Sequence, residues 1–274
     1  MPELPEVETI TCQLQNITTG RTIQRIEVID SRLGLGNDFE KIKNKKILSV
    51  ARRGKYIVFA LEKGINLVIH LRMTGRLLWQ EVELNRTRHT RAVVYLGPKS
   101  KKGSGQKSGW LLFDDLRRFG VIRIDNKLLV LDKLGPEPVG PGFNLSYLKN
   151  KLKNSKMEIK DFLLDQGKIA GIGNIYASEI LFAAGIHPRR KACSLHGSEI
   201  GKLFRQTRRI LKAAIRHQGT TFSRYADTLG RKGRFQPLLK VYRREGQLCR
   251  LCRCSVRRIK QHGRSTFFCD KCQH

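Results

Sequence analysis

The sequence predicts an α+β protein with an N-terminal β-sandwich domain preceded by a helix, and a helical C-terminal domain that ends in a cysteine-rich hairpin. Three observations predict this division. Short apolar and aromatic runs, separated by glycine, asparagine and charged residues, recur between residues 22 and 131, as in sandwiches and barrels. Beyond residue 144 the apolar residues recur at three- and four-residue spacing, which indicates helices. Five of the seven cysteines lie beyond residue 248.

The individual elements follow from the same patterns. A first helix is predicted over residues 6–15, where Val7, Ile10 and Leu14 share one face. Strands are predicted at residues 22–29, 56–61, 67–71, 92–96, 110–113, 121–124 and 128–131. Helices are predicted at residues 147–152, 159–164, 175–184 and 198–217. Residues 97–109 are basic, glycine-rich and almost without apolar side chains, so we expect a mobile loop there, which would either solubilise the chain or add an auxiliary contact to a partner.

The domain boundaries are predicted from glycine and proline. Residues 135–142 hold three of the eight prolines and read as a linker. We therefore expect an N-terminal β-sandwich domain at residues 1–134, a linker at 135–144, a helical domain at 145–240 and a metal-binding finger at 241–274.

The charge of the chain predicts a polyanionic partner. Lysine and arginine number 54 against 23 acidic residues, which gives a net charge of +31 and a pI near 10.4. An excess this large favours nucleic acid over a membrane surface. No apolar run is long enough to span a bilayer, and the acidic, proline-containing N-terminus does not resemble a signal peptide.

The C-terminal cysteines predict a structural metal site. Two Cys-x2-Cys pairs, separated by sixteen residues, have the spacing of a four-thiolate zinc site, which leaves no open position for chemistry. The ligands are Cys249, Cys252, Cys269 and Cys272. Cys254 lies close enough to compete as a ligand. The intervening residues 256–260 and 265–268 alternate like two strands, and a hairpin this small needs a metal to hold its shape.

The N-terminus permits two interpretations. Pro5, Glu6 and Glu8 suit an ordinary helix start. Alternatively, removal of Met1 would leave Pro2 as a free secondary amine, which is more often neutral near pH 7 than a lysine. Glu3 beside it could transfer protons, so the pair predicts a Schiff-base site.

Four other candidates have ordinary interpretations of their own. Lys55 is typical of a surface lysine, His70 of a hydrogen-bonded core histidine, and Met73 of a core or rim residue. The turn at residues 171–174 precedes a helix, and its N–H groups could bind a phosphate, although helical hairpins also use such glycines for packing.

Several strings together resemble one family. The segment Pro2-Glu3-Leu4-Pro5-Glu6-Val7-Glu8-Thr9 resembles the N-terminus of bacterial formamidopyrimidine-DNA glycosylases, which excise oxidised purines. Residues 69–75, 116–120 and 171–179 match further motifs of this family, and the resemblance runs from Pro2 to Cys272. Leu4 favours this branch over the related endonuclease VIII enzymes.

The resemblance implies a role for each matching residue. Pro2 would be the nucleophile and Glu3 its acid–base partner. Lys55 and His70 would hold the backbone around a flipped nucleotide, and Lys55 is the obvious substitute amine. The wedge that replaces the extruded base would consist of Met73, Arg117 and Phe119, with Arg117 hydrogen-bonded to the orphaned cytosine. The phosphate contacts would come from the helix–two-turn–helix element and the hairpin tip, through Lys160, Asn174 and Arg264.

Besides Cys254, and Arg234 where the family often has an aromatic residue, two positions depart from the family pattern at the predicted site. Leu116 stands where proline is usual, and Arg253 stands where glycine is common. These departures concern the stiffness of the wedge loop and the turn at the metal site. Residues 219–235 resemble the loop that covers the flipped purine, but they give no individual contact.

We therefore expect a zinc-containing bifunctional DNA glycosylase and apurinic-site lyase that acts on damaged duplex DNA as a cytoplasmic, nucleoid-associated monomer. Excision would proceed through an N-terminal proline Schiff base, followed by β- and δ-elimination. Three alternatives remain: a non-catalytic damage binder, an endonuclease VIII-like enzyme for oxidised pyrimidines, and a zinc-ribbon RNA-binding protein. The last explains the charge and cysteines but not the N-terminal motif.

Overall fold

The chain folds into two compact units. The computed structural model describes residues 1–34, 36–81, 83–99, 107–222 and 225–274. The first unit contains residues 1–132 and 217–234, and the second contains residues 133–216 and 235–274. The second unit differs from the predicted domain at 145–240, because residues 217–234 bond to the first helix. The backbone N–H of Thr220 donates to Glu6 Oε1 at 2.7 Å, and Gln13 Nε2 donates to Asp227 at 2.7 Å.

The first unit is a helix followed by two four-stranded antiparallel sheets. Its elements are α1 (Leu4–Thr18), β1 (Ile23–Val28), β2 (Ile47–Arg53), β3 (Tyr56–Leu61), β4 (Asn66–His70), β5 (Gly75–Gln80), β6 (Thr90–Leu96), β7 (Gly109–Asp115), β8 (Val121–Ile124) and the short helix α2 (Leu129–Asp132). One sheet has the order β1-β6-β7-β5 and the other β2-β3-β4-β8. The predicted sandwich class is confirmed.

Both sheets and α1 share one apolar core. The helix supplies Val7, Ile10 and Leu14, which are almost fully buried. The sheets contribute alternating inward side chains, including Ile23, Leu77, Ala92 and Phe113 from one, and Ile57, Phe59, Ile69 and Ile122 from the other. Burial of this apolar surface is the main term that stabilises the unit.

The second unit is helical and ends in a hairpin. Its elements are α3 (Leu145–Lys153), α4 (Ile159–Leu164), α5 (Asn174–Ala184), α6 (Gly197–Arg216), β9 (Arg257–Gln261) and β10 (Arg264–Phe268). Helix α5 is buried on nearly all sides and packs on α4, α6 and β10. Its Glu179 carboxylate accepts the backbone N–H groups of Lys240, Val241 and Tyr242 at 2.8–2.9 Å, which fixes the segment leading to the hairpin.

The structure corrects two predicted elements and adds two strands. Residues 128–131 are not a strand, because the Asp125 carboxylate accepts the N–H groups of Leu129 and Val130 and starts the short helix α2. Strands β2 and β5 had no predicted counterpart. The first helix is longer than predicted, since Pro5 and the Glu3–Glu6 pair start it two residues earlier. The predicted mobile loop lies between β6 and β7, and its residues 100–106 lie outside the described residues.

Candidate functional site

The N-terminal motif lies inside the first unit. Pro2 is buried, and Glu3 and Glu6 are only 2% and 1% exposed. The Glu3 backbone N–H donates to Glu6 Oε2 at 2.8 Å, so the second carboxylate fixes the backbone that carries Pro2 and Glu3. The helix-start interpretation is confirmed, since Pro5 and Glu6 begin a helix, and that helix start holds the candidate amine and its carboxylate together.

Glu6 also anchors the segment 217–234. Its Oε1 accepts the Thr220 N–H at 2.7 Å. A Cβ atom at Gly219, whose φ is +76°, would lie 2.6 Å from the same oxygen, so only glycine permits this approach. Tyr225 donates its hydroxyl to the Gln218 carbonyl at 3.2 Å, and burial raises its pKa, which keeps the phenol neutral. The sequence motif contained Glu6, but only as a helix-start residue.

Lys55 and His70 are adjacent because β3 pairs with β4. The register places Tyr56 opposite His70, and Lys55 immediately precedes Tyr56. Both Lys55 and His70 are 7% exposed. The His70 ring meets the Tyr56 ring edge-on, with centroids 4.5 Å apart. The structure therefore brings together two of the predicted site residues, from strings fifteen residues apart.

His70 is a neutral hydrogen-bond donor. Burial, with further contributions from Arg72 and Lys55, lowers its pKa to about 3. Its Nδ1 accepts the Arg72 backbone N–H at 2.9 Å, so in the neutral ring the proton sits on Nε2. An N–H at that atom can donate to a phosphate oxygen.

The three predicted wedge residues lie on two loops at the ends of strands. Met73 lies between β4 and β5, and Arg117 and Phe119 lie between β7 and β8. The Met73 and Phe119 side chains are 44% and 52% exposed, although both are large and apolar. The Arg117 guanidinium lies 4.8 Å from the centre of the Phe119 ring. Leu116, at the proline position of the family, is also exposed.

A residue that sequence reasoning missed lies beneath these loops. Asp115 is fully buried at the end of β7, and its carboxylate accepts the Thr74 hydroxyl and the backbone N–H groups of Arg117 and Gly120. The signal in the sequence is an acidic pair that ends an apolar run just before the loop. That pair predicts a polar cluster but not its partners.

In the second unit Lys160, Asn174 and Arg264 converge on β10. Lys160 is fully buried, and its ammonium donates to Thr266 Oγ1 at 2.6 Å and to the Ser265 carbonyl at 3.3 Å. Asn174, the first residue of α5, donates its amide to the same carbonyl at 2.8 Å. Arg264 is exposed just beyond the hairpin turn. Lys160 and Asn174 thus position the strand that carries Arg264, and the phosphate contact expected of them remains a prediction.

The four predicted cysteine ligands form one cluster. Their sulfur atoms all lie within 4.8 Å of one another, with Cys249 and Cys272 at 3.9 Å and Cys252 and Cys269 at 3.4 Å. Four Zn–S bonds of about 2.3 Å separate the sulfurs of a tetrahedron by about 3.8 Å, so the cluster has the dimensions of a zinc site. Cys254 is exposed and outside the cluster. Arg253 adopts a φ of +66°, which explains why glycine suits this position.

No helix within the described ranges combines the length and apolar character needed to cross a membrane.

Comparison with known proteins identifies the family. The family model described as the formamidopyrimidine-DNA glycosylase N-terminal domain matches residues 1–122, and the model for the H2TH domain of the same enzymes matches residues 134–226. The chain is 41% identical over 277 residues to a formamidopyrimidine-DNA glycosylase from Carboxydothermus hydrogenoformans, with both chains covered fully. A homologue from Listeria innocua is 34% identical, also over both full lengths.

Solved structures agree with the sequence relatives. A Lactococcus lactis Fpg mutant bound to DNA containing Fapy-dG is similar with a TM-score of 0.90 and 34% identity, and 99% of each chain is covered. The Thermus thermophilus enzyme gives a TM-score of 0.87 and 38% identity, covering 99% of this chain and 98% of the other. The chain therefore belongs to the formamidopyrimidine-DNA glycosylase family.

Proposed function

We propose that this chain excises oxidised purines from duplex DNA and then cuts the strand at the abasic site. The observation that supports this most directly is the N-terminal pair itself. Pro2 and Glu3 are held side by side in a buried helix start, with their backbone fixed by Glu6. Once Met1 is removed, this arrangement supplies a secondary amine and an adjacent carboxyl group in a partly desolvated setting.

The proposed reaction uses this pair in sequence. The Pro2 nitrogen attacks C1′ of the damaged nucleoside, and the C1′–N bond to the base breaks. The base departs with the bonding electron pair and takes up the proton that the Pro2 nitrogen loses. A proton from Glu3 reaches the ring oxygen as the sugar opens, which leaves an iminium at C1′. The iminium acidifies the C2′ proton, and its removal expels the 3′ phosphate. Loss of the C4′ proton lets a second elimination expel the 5′ phosphate, and water then hydrolyses the iminium to release Pro2.

The other site residues of the first unit bind rather than react. Lys55 and the His70 Nε2–H group would hold phosphates beside the lesion, because one is cationic and the other is a neutral donor. Met73 and Phe119 would fill the space of the extruded base, since apolar side chains offset lost stacking. Arg117 would donate to the pairing edge of the orphaned cytosine.

The second unit would supply phosphate contacts and a structural zinc ion. Cys249, Cys252, Cys269 and Cys272 would hold the zinc, whose charge lets four thiolates share one small volume. Arg264 would reach a phosphate from the hairpin tip. Lys160 and Asn174 would support that tip, and Asn174 would offer its amide at the start of α5 to a second phosphate.

A second substrate class has a specific observation in its favour. A solved complex pairs wild-type Lactococcus lactis Fpg with DNA that contains an oxidised pyrimidine, and that protein is similar to this chain with a TM-score of 0.89 and 33% identity. Oxidised pyrimidines are therefore the alternative lesion for this chain.

One experiment tests the function and ranks the two substrates. Protein that starts at Pro2 is incubated with matched duplexes that carry 8-oxoguanine opposite cytosine or thymine glycol opposite adenine. We expect incision of both with phosphate at each new end, and faster incision of the purine lesion. Faster incision of thymine glycol would favour the alternative, and no incision of either would favour a non-catalytic damage binder.

A further inference from the structure

We propose that Asp115 and Thr74 are positioning residues that brace the two exposed loops into one rigid unit, so that Met73, Arg117 and Phe119 enter DNA together. The proposal rests on the proposed function, which gives these loops the task of filling the space left by an extruded base. The brace itself is a feature of the first unit alone.

The bonds of the brace connect two loops that are distant in sequence. Thr74 and Asp115 are 41 residues apart, and the Thr74 hydroxyl donates to Asp115 Oδ1. The Arg117 N–H is shared between Asp115 Oδ1 at 3.2 Å and Thr74 Oγ1 at 3.0 Å. The Gly120 N–H donates to Asp115 Oδ2 at 2.7 Å. One buried carboxylate therefore holds both ends of its own loop and the last residue of the other loop.

The loops need such a brace because packing does not hold their tips. Met73 and Phe119 are about half exposed, so little apolar burial fixes them. Arg72 and Arg118 have φ values of +52° and +58°, a left-handed conformation that costs an ordinary residue on the order of 1 kcal/mol or more. Hydrogen bonds in a buried setting offset this cost and select one loop conformation.

The backbone around the brace is closely packed at two glycines. A Cβ atom at Gly75 would lie 2.5 Å from the Leu71 carbonyl oxygen, and one at Gly120 would lie 2.4 Å from the Phe113 ring. These glycines let the two loops close tightly over Asp115. A small change at the Asp115 carboxylate should therefore shift the exposed side chains of Met73 and Phe119.

Three variants separate the brace from the fold. Thr74→Val removes the hydroxyl between the loops but leaves Asp115 bonded to its own loop, and Thr74→Ser restores it. Asp115→Asn is the stronger change, because an amide accepts hydrogen bonds at only one of its two ends and would point N–H groups at another N–H. Thr87→Val is the matched control, since the Thr87 hydroxyl donates at 3.0 Å to the neighbouring carboxylate, Asp114.

Limited trypsin digestion tests the brace without DNA. Arg72, Arg117 and Arg118 are exposed on the two loops. We expect Thr74→Val to accelerate cleavage on both loops together, whereas Thr74→Ser and Thr87→Val match the unmodified protein. Faster cleavage on one loop alone, or on neither, would overturn the proposal even if the protein proves to be an active glycosylase.

Kinetics test what the brace does. We expect Thr74→Val to slow 8-oxoguanine excision about tenfold, the size of one lost hydrogen bond, and to leave incision of a preformed abasic site almost unchanged. Thr74→Ser should recover most of the rate. An equal loss on both substrates would show that the brace supports the reaction centre rather than base extrusion, and would overturn the proposal. Failure of the unmodified protein on both substrates would contradict the proposed function, and the digestion result would still stand.

Discussion

Two exposed parts of this protein keep their shape by different chemistry. In the first unit, the loops that carry Met73 and Phe119 are fixed by neutral donors around the buried Asp115 carboxylate. In the second unit, the hairpin of β9 and β10 is tied at its base by a cluster of four thiols. The loops extend from a sandwich with a large core. The hairpin rests on a small apolar cluster of Phe182, Val241, Val256 and Phe267 with two of the cysteines.

This difference indicates that the shape of the two loops depends only on the folding of the first unit, whereas the shape of the hairpin should depend on a bound metal ion. The loops take their conformation whenever the sandwich folds, because every bond of the brace is internal. We expect the hairpin to need a metal ion, because clustered thiolates repel one another without one and the apolar cluster is too small to compensate. The following predictions test the contrast, from the largest expected effect to the smallest.

Metal removal should act on the hairpin alone. We expect one zinc ion per chain, lost on strong chelation or in Cys249→Ser, and retained in the control variant Cys254→Ser. Loss of zinc should unfold the hairpin and weaken DNA binding about tenfold or more, because the basic hairpin residues no longer face the phosphates. Zinc content, far-UV circular dichroism and DNA affinity measure this. Normal DNA incision by metal-free protein would contradict the role of the hairpin.

Acid should destabilise the first unit through His70. Its folded-state pKa is about 3, against an ordinary value of 6.5. The unfolded chain therefore binds a proton that the folded chain does not, and this contribution lowers stability as the pH falls from about 6.5 towards 3, with no effect above that range. At pH 5 the His70 share is about 2 kcal/mol. Urea unfolding at pH 7.5 and pH 5 measures the loss of unfolding free energy between the two pH values. The His70→Gln variant should lose less of this free energy than the unmodified protein. An equal loss in both proteins would contradict the assignment.

The rate of excision should depend on the base opposite the lesion, and Arg117 should cause this dependence. A guanidinium donates to the acceptors of cytosine, whereas adenine presents a donor at the corresponding position. We expect 8-oxoguanine to be excised faster opposite cytosine than opposite adenine, and Arg117→Ala to narrow that ratio about tenfold, the value of a hydrogen bond to a charged group. Arg118→Ala, whose guanidinium lies 3.6 Å from Asp30, is the control and should keep the ratio. Equal rates in the unmodified protein would rule out this use of Arg117.

The smallest effect concerns the turn at the metal site. Arg253 holds a left-handed conformation that glycine adopts without strain. We expect Arg253→Gly to stabilise the zinc-bound hairpin by about 0.5–1 kcal/mol, which a chelator competition would record as a severalfold tighter zinc affinity. Arg250→Gly, at an exposed position outside the left-handed region, should give no gain. Weaker zinc binding in Arg253→Gly would show that the arginine side chain contributes more than the strain costs.

The sequence predicted those features whose signal is local. Cysteine spacing is sufficient to predict the four-cysteine cluster, and helical periodicity is sufficient to predict α3 to α6. The four apolar residues 128–131 fit a strand or a helix equally, and only the position of Asp125 decides between them. Strand β5 begins at Gly75, inside a stretch that reads as a turn, which hides its alternating pattern.

The missed site residues depend on contacts that no local pattern contains. Asp115 finds its partner in Thr74, on another loop, and Glu6 finds its partner in Thr220, far along the chain. Lys160 fitted a phosphate contact by its motif, but its complete burial against β10 became visible only in three dimensions. Charge and motif thus identify candidate site residues, whereas the burial of each residue in the fold determines which groups it can contact.

The central claim is that the Pro2 nitrogen is the nucleophile, and borohydride trapping on an abasic duplex tests it most directly. While Met1 is attached, that nitrogen is a tertiary amide with a delocalised lone pair, so it cannot form an iminium. We expect protein that starts at Pro2 to cleave the duplex and to be trapped, with the adduct mapped to Pro2, whereas protein that keeps Met1 binds the duplex but is neither active nor trapped. An adduct on Lys55, or full activity with Met1 in place, would contradict the account.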